Sequence, residues 1–98
     1  MTDLRIEWDR RKALANERKH GIAFTDAATA FTDEFGLVIS DPDHSDEEDR
    51  FLLLAMSWSQ EVLVVCHCYR EGADVIRIIS ARKANRSERA QYARDSHA

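Results

Sequence analysis

Apolar and polar residues alternate at the start of the chain, where Leu4, Ile6 and Trp8 flank Arg5 and Glu7 with the two-residue period of a half-buried strand. Asp9 then serves as the cap of a helix that runs to Lys19, and Gly21 ends that helix by supplying the left-handed backbone a β-carbon disfavours. Ala13 and Leu14 are expected to face the core. Lys12, Asn16, Lys19 and His20 recur at three- and four-residue spacings along a polar, partly basic face of the same helix. Thr25 is the expected cap of a second helix that holds Ala27, Ala28 and Phe31, with Phe24 and Phe31 as apolar anchors and an end near Gly36.

The period changes after Gly36. Leu37, Val38 and Ile39 make a short strand, followed by the turn-rich acidic segment Asp41-Pro42-Asp43-His44-Ser45-Asp46. Residues 50–57, 61–69 and 74–81 are rich in Val, Ile, Leu and aromatics, and the connectors around Ser59-Gln60 and Glu71-Gly72 are too short for a parallel crossover. These three strands therefore form an antiparallel meander. Both faces of the middle one are largely apolar, with Val62, Val64 and Cys66 against Leu63 and Val65, which puts it centrally in the sheet. Asn85-Arg86-Ser87-Glu88 has a cap residue with Glu three positions on, the opening of a C-terminal helix. The pattern predicts an α+β fold with the N-terminal helices packed on the sheet.

Ninety-eight residues give one domain over 1–98, since a second core would need roughly 100 more. The longest apolar stretches fall far short of the roughly 18 residues of a membrane span. No apolar stretch follows the charges of the N-terminus, so a secretory signal is not expected and the reducing cytoplasm is, with Cys66 and Cys68 as free thiols. The net charge of −4 hides a polarised distribution. Nine acids and no Lys or Arg occupy residues 26–49, whereas Arg77, Arg82, Lys83, Arg86, Arg89 and Arg94 face only Glu88 between Arg77 and Arg94. Such asymmetry points to an anionic partner better than the total does, although a solvated helix face has the same composition.

Candidate chemistry narrows quickly. Asp41, Asp43 and Ser45 have the spacing of a calcium loop, but Asp46 stands where the sharp turn needs Gly and Leu52 where a bidentate Glu should close the shell. Cys66, His67 and Cys68 resemble zinc ligands, yet a strand sends the thiols to one face and the imidazole to the other. Two buried thiols and a half-exposed imidazole are expected instead, and no metal or cofactor. Two groupings remain. Lys19-His20-Gly21 sits at a helix end, where an imidazole can exchange protons near neutrality or simply interact with the terminal carbonyls. In Ile79-Ser80-Ala81-Arg82-Lys83-Ala84 a strand runs out into two cations just before a helix start, where a phosphate could bind or the charges could stand in solvent.

The ordered set Ile6-Glu7-Trp8-Asp9, Lys12, Asn16, Lys19-His20-Gly21-Ile22, Phe24, Phe31, Asp33, Asp43-His44-Ser45, Glu48, Arg50, Arg77-Ile78-Ile79-Ser80-Ala81-Arg82-Lys83-Ala84, Glu88-Arg89 and Tyr92 resembles the BrnT family of type II toxins over nearly the whole chain. The resemblance implies a RelE-like fold, a twisted and mostly antiparallel sheet with two N-terminal helices packed on it and a C-terminal helix. It also implies a ribonuclease that halts translation, paired with a BrnA-like antitoxin carrying a ribbon-helix-helix DNA-binding segment. The family pattern draws the RNA site from Lys19, His20, Arg50, Arg77, Ser80, Arg82, Lys83 and Tyr92, and the basic C-terminal quarter adds Arg86 and Arg89. RNA cleavage without metal uses the neighbouring 2′-hydroxyl as nucleophile, so the site must take one proton, give one and stabilise phosphorane charge. Arg50 and Arg82 suit the third task, and His20 is the best titrating candidate by type, with Glu48, Asp49 and Lys83 as rivals. His20, Arg50, Arg82 and Lys83 are thus the expected catalytic set, and Lys19, Arg77, Ser80, Arg86, Arg89 and Tyr92 the RNA-binding one. The competing expectation is a catalytically silent module of the same fold that only binds an antitoxin.

Overall fold

The short connectors act as the pattern requires. In the computed structural model, which describes residues 5–41, 49–72 and 74–96, the strands β3 (Phe51–Met56), β4 (Val62–Arg70) and β5 (Val75–Lys83) pair antiparallel in sequence. Glu71 and Gly72 both adopt positive φ, 52° and 66°, the backbone of a tight hairpin turn. The chain first forms β1 (Arg5–Trp8), then the helices α1 (Arg10–His20) and α2 (Phe24–Thr29) with a 3₁₀ turn over Ala30–Thr32, and then β2 (Leu37–Ser40). It ends in α3 (Arg86–Ser96). The five strands lie in the order β1-β5-β4-β3-β2, with β4 at the centre and β1 parallel to β5 at one edge. The sheet is therefore mostly antiparallel, and the α+β expectation holds.

Each face of the sheet has its own core. On one, Leu53, Ala55, Leu63, Val65, Ile78 and Ala81 pack under Ile22, Phe24, Ala27 and Ala30 of the N-terminal helical region. On the other, Leu54, Val64 and Ala84 pack with Leu37, Leu52, Val62 and Tyr92, so α3 covers part of this second face. Asn85 and Glu88 form the expected reciprocal cap, each backbone N–H reaching the other's side chain at 2.8 Å.

Three local expectations are corrected by packing. Thr25 does not cap α2: the helix starts at Phe24 behind Ala23 without a side-chain cap, because the buried Phe24 ring, edge-on to Trp8 at 6.0 Å, anchors its first turn in the core. Leu14 is 51% exposed rather than inward, and the buried position of α1 is held by Asn16. His67 is not half-exposed but fully buried, edge-on to Phe31 at 4.9 Å and among Phe51 and Tyr69. Cys66 and Cys68 are buried free thiols on the opposite face, as alternation requires.

Burial pushes His67 below the usual imidazole value of 6.5, outweighing its contact with the Val65 carbonyl. The folded state thus holds His67 neutral while the unfolded chain protonates it as pH falls through 6.5. Its contribution to stability is present above that pH and is lost below it, by up to about 1.4 kcal/mol per pH unit. Urea melts between pH 7 and 5 check this: wild type should lose stability over that window and His67→Phe should lose less. Equal slopes would remove His67 as the cause.

Candidate nucleic-acid interface

Asn16 determines where α1 lies. The first four residues of β5 pair with β1, which ends at Trp8, so beyond Ile78 the outer edge of β5 has no strand partner among the described residues. The side-chain amide of Asn16 takes the strand's place: Nδ2 donates to the Ala81 carbonyl at 2.8 Å and Oδ1 accepts from the Ala81 N–H at 3.0 Å. Nδ2 also donates to the Ile22 carbonyl at 3.0 Å, fixing the chain just past Gly21, whose φ of 73° closes α1. Asp9 caps the other end, accepting from the backbone N–H groups of Lys12 at 3.3 Å and Arg11 at 2.7 Å. Those amide hydrogen bonds hold the Asp9 carboxyl below the usual range.

With α1 held in this way, Lys12, Ala15, Asn16, Lys19 and His20 line an open cleft whose other wall is Ile79 and Ser80 of β5. The strand is irregular there. Cys66 pairs with Ser80 and His67 with Ile78, so Ile79 is an extra residue, and such a bulge turns neighbouring side chains away from the regular pleat. Ser80 thereby borders the helix cleft while sharing a sheet face with Arg77, Arg82 and the side of the sheet that carries α3. Arg50 belongs to the same face: it lies next to β3, and its charge and that of Asp41 both act on Cys66.

Arg82 and Arg77 on that face are oriented by acids. Arg82 donates to both carboxylate oxygens of Glu88, Nη1 at 2.8 Å and Nη2 at 2.9 Å. This fork raises the Arg82 pKa and lowers that of Glu88. Arg77 Nη1 meets Glu7 Oε2 at 2.6 Å. Lys83 turns to Glu61 at 3.7 Å on the sheet's end, and Arg89 Nη1 donates to the Ala84 carbonyl at 2.8 Å, pinning the start of α3. Arg86 is exposed on α3. The Tyr92 hydroxyl donates to Asp33 Oδ2 at 2.6 Å, and burial together with that carboxylate pushes its pKa up to about 12, so it acts as a tie for α3 rather than as a base.

Lys19, His20 and Ser80 are thus brought together, with Arg50, Arg77 and Arg82 on the adjoining sheet face, whereas Lys83, Arg89 and Tyr92 are committed elsewhere. Lys12 joins the cleft although the expected site omits it, and its i, i+4, i+7 relation to Asn16 and Lys19 was the available signal. The acidic partners Glu7 and Glu88 had no such signal, since both are remote from their arginines in spacing or sit in another element. Cys66 is pushed up to about 11 by burial and by Asp41, which leaves no reactive thiolate. Asp43, His44, Ser45 and Glu48 lie outside the described residues, and among those described no group of three or more His, Cys, Asp or Glu gathers as a metal site.

An open five-stranded sheet with helices on both faces, and a cleft lined by Lys12, Lys19 and His20 at its β5 edge, defines a small α+β protein. The crystal structure of the Brucella abortus ribonuclease toxin BrnT has the same fold: it superposes with a TM-score of 0.61 at 22% identity, covering 86% of this chain and 100% of that one. The family model for the ribonuclease toxin BrnT of type II toxin-antitoxin systems matches residues 8–88. The chain therefore belongs to the BrnT family of ribonuclease toxins, whose type II systems pair each toxin with an antitoxin. No curated protein matches it. Among the described residues no helix is long and apolar enough to cross a membrane.

Proposed function

We propose that this toxin cleaves RNA without a metal ion, through attack of the neighbouring 2′-hydroxyl, at the junction of the α1 cleft and the arginine-bearing sheet face. The observation that carries this reading is the convergence of Lys12, Lys19, His20 and Ser80 at the β5 bulge, beside the face that holds Arg82. Lys12 and Lys19 bind the RNA backbone, His20 takes the proton of the attacking 2′-hydroxyl and returns it to the 5′-oxygen as the P–O5′ bond breaks, and the Arg82 guanidinium, held in one orientation by Glu88, stabilises charge on the reacting phosphate. Arg50 and Arg77 extend the cationic track along the sheet, and Arg86 lies at its α3 end. Lys83, Arg89 and Tyr92 support this surface rather than contact substrate. The partner in this reading is a BrnA-like antitoxin with a ribbon-helix-helix DNA-binding segment, and both act in the cytoplasm.

Purified toxin incubated with RNA should cleave it equally with and without EDTA, leave a 2′,3′-cyclic phosphate, and spare DNA, which lacks the attacking hydroxyl. Loss of cleavage in EDTA, or cleavage of DNA, would overturn the mechanism. His20→Ala should abolish most of the turnover on protein of matched circular dichroism, whereas a histidine that only met the helix end would leave turnover near that of wild type. The engagement of Arg77 by Glu7 and of Arg82 by Glu88 favours a second reading, in which the chain binds its antitoxin but no longer cleaves. Absence of any cleavage by folded toxin that still binds its antitoxin would select it.

A further inference from the structure

Helix stability does not explain the charges of α1. The helix carries Arg10, Arg11, Lys12, Arg18 and Lys19 against Glu17, although the chain as a whole has a net charge of −4. The helix dipole favours cations in the last turn, which accounts for Arg18 and Lys19. The first turn is the opposite case: it holds Arg10, Arg11 and Lys12 and no acid, at the end where the dipole repels positive charge.

Helical geometry sorts these residues. At about 100° per residue, Lys12 and Lys19 form one row on the rim of the cleft, and Arg11 and Arg18 form a second row on the crest, opposite the side that buries Asn16. Each row is an i, i+7 pair about 10 Å long, and Ala15 lies between the two. Lys12, Ala15 and Lys19 line the cleft together, so the four cations surround a small side chain on a surface continuous with it. All four are exposed, and among the described residues none meets an acid within ion-pair distance, whereas Arg77 meets Glu7 and Arg82 meets Glu88. Arg10 and Glu17 lie on the other flank of the helix, away from the cleft. The hydrogen bonds of Asn16 to Ile22 and Ala81 fix the position in which this face is presented.

We propose that this face of α1 is an RNA-backbone site, in which Arg11 and Arg18 join Lys12 and Lys19 to hold the phosphates of the RNA segment that leads into the cleft. Chemistry favours RNA over an acidic protein segment. A stable protein interface is centred on desolvated apolar or aromatic anchors, and between these four cations the face presents only Ala15. Repeated cations without acid partners suit a regular polyanion, whose binding releases counterions for each phosphate met. Arg11 and Arg18 therefore contribute to affinity for substrate and not to bond cleavage. The inference rests on reading RNA as the substrate and adds where the uncleaved flank of that substrate lies.

Equilibrium binding of RNA methylated at every 2′-hydroxyl tests the site without chemistry, since this probe keeps the phosphates and lacks the nucleophile. In plots of log affinity against log salt, Arg11→Ala and Arg18→Ala should each make the slope shallower by about 0.7, the value of one lost contact to a single strand, and together weaken binding at least tenfold at low salt. Arg10→Ala removes the same charge from the other flank and should leave the slope unchanged. With cleavable RNA, the double variant, at matched circular dichroism, should raise KM at least tenfold and keep kcat within about twofold, the split expected of uniform binding. Equal slopes for Arg10→Ala and Arg11→Ala would reduce the effect to net charge and overturn the site. Unchanged RNA affinity in the double variant, with antitoxin binding weakened instead, would also overturn it and assign the face to an acidic partner. Wild type that binds the methylated RNA in the expected manner but cleaves no RNA would support the site and overturn the cleavage mechanism. Wild type that binds no RNA overturns both.

Discussion

Arg82→Ala lowers RNA cleavage by about 100-fold or more if the guanidinium supports the reacting phosphate as a preorganised donor. Its position favours that role, because Glu88 fixes the plane of the fork and Ser80, two residues earlier in β5, carries the same sheet face to the α1 cleft. Arg82→Lys should restore little, since an ammonium cannot reproduce a planar two-pronged contact. A purely structural role for the pair makes a different prediction. Glu88 also accepts from the Asn85 N–H, so Glu88→Gln disturbs the same junction while sparing the arginine. Direct action by Arg82 requires that Glu88→Gln retain far more cleavage than Arg82→Ala, measured on protein of matched circular dichroism. Equal losses from the two variants would reduce Arg82 to a positioning residue for α3.

Asn16→Ala should be the most destabilising single substitution on the surface of the cleft. It leaves the N–H and C=O of Ala81 and the C=O of Ile22 without their Asn16 hydrogen bonds in a place that is 6% exposed. An unmade buried hydrogen bond costs about 1–3 kcal/mol, and with partial relaxation of α1 the sum is about 3 kcal/mol. For a domain of this size that lowers the melting temperature by roughly 15 °C. Asn16→Asp is expected to be at least as harmful, because it keeps the acceptor for Ala81 but turns a carboxylate toward two carbonyl oxygens. Calorimetry of the three proteins decides the point. A loss below about 1 kcal/mol for Asn16→Ala would mean that water or a shifted α1 replaces the amide, and that the cleft is not held by this residue.

Much of the architecture was local enough to be read in order. The hairpins followed from connector lengths, the central place of β4 from apolar residues on both its faces, the ends of α1 from Asp9 and Gly21, and the start of α3 from the Asn85–Glu88 pair. In each case the determining residues are within a few positions of one another, so their chemistry acts before the chain has folded. The face shared by Lys12, Asn16, Lys19 and His20 was legible for the same reason, being a property of helical spacing alone.

What tertiary structure decided were the meetings of distant segments. Nothing in the spacing of β1 says that it lies parallel to β5, sixty-odd residues away, or that it stops at Trp8 and leaves Ala81 for Asn16 to satisfy. That vacancy put a polar residue at the buried position of α1 and left Leu14 in solvent. The same holds for Arg82 in the grip of Glu88, for Tyr92 tied to Asp33, and for His67 enclosed by Phe31 from the far end of the helical region. Local spacing in the sequence was enough to place Lys12, Asn16, Lys19 and His20 on one face of α1. Which cations line the open cleft and which meet acids depended on long-range packing, because a charge takes its partner from whatever the folded sheet brings within hydrogen-bond distance, and that distance has no counterpart in sequence separation.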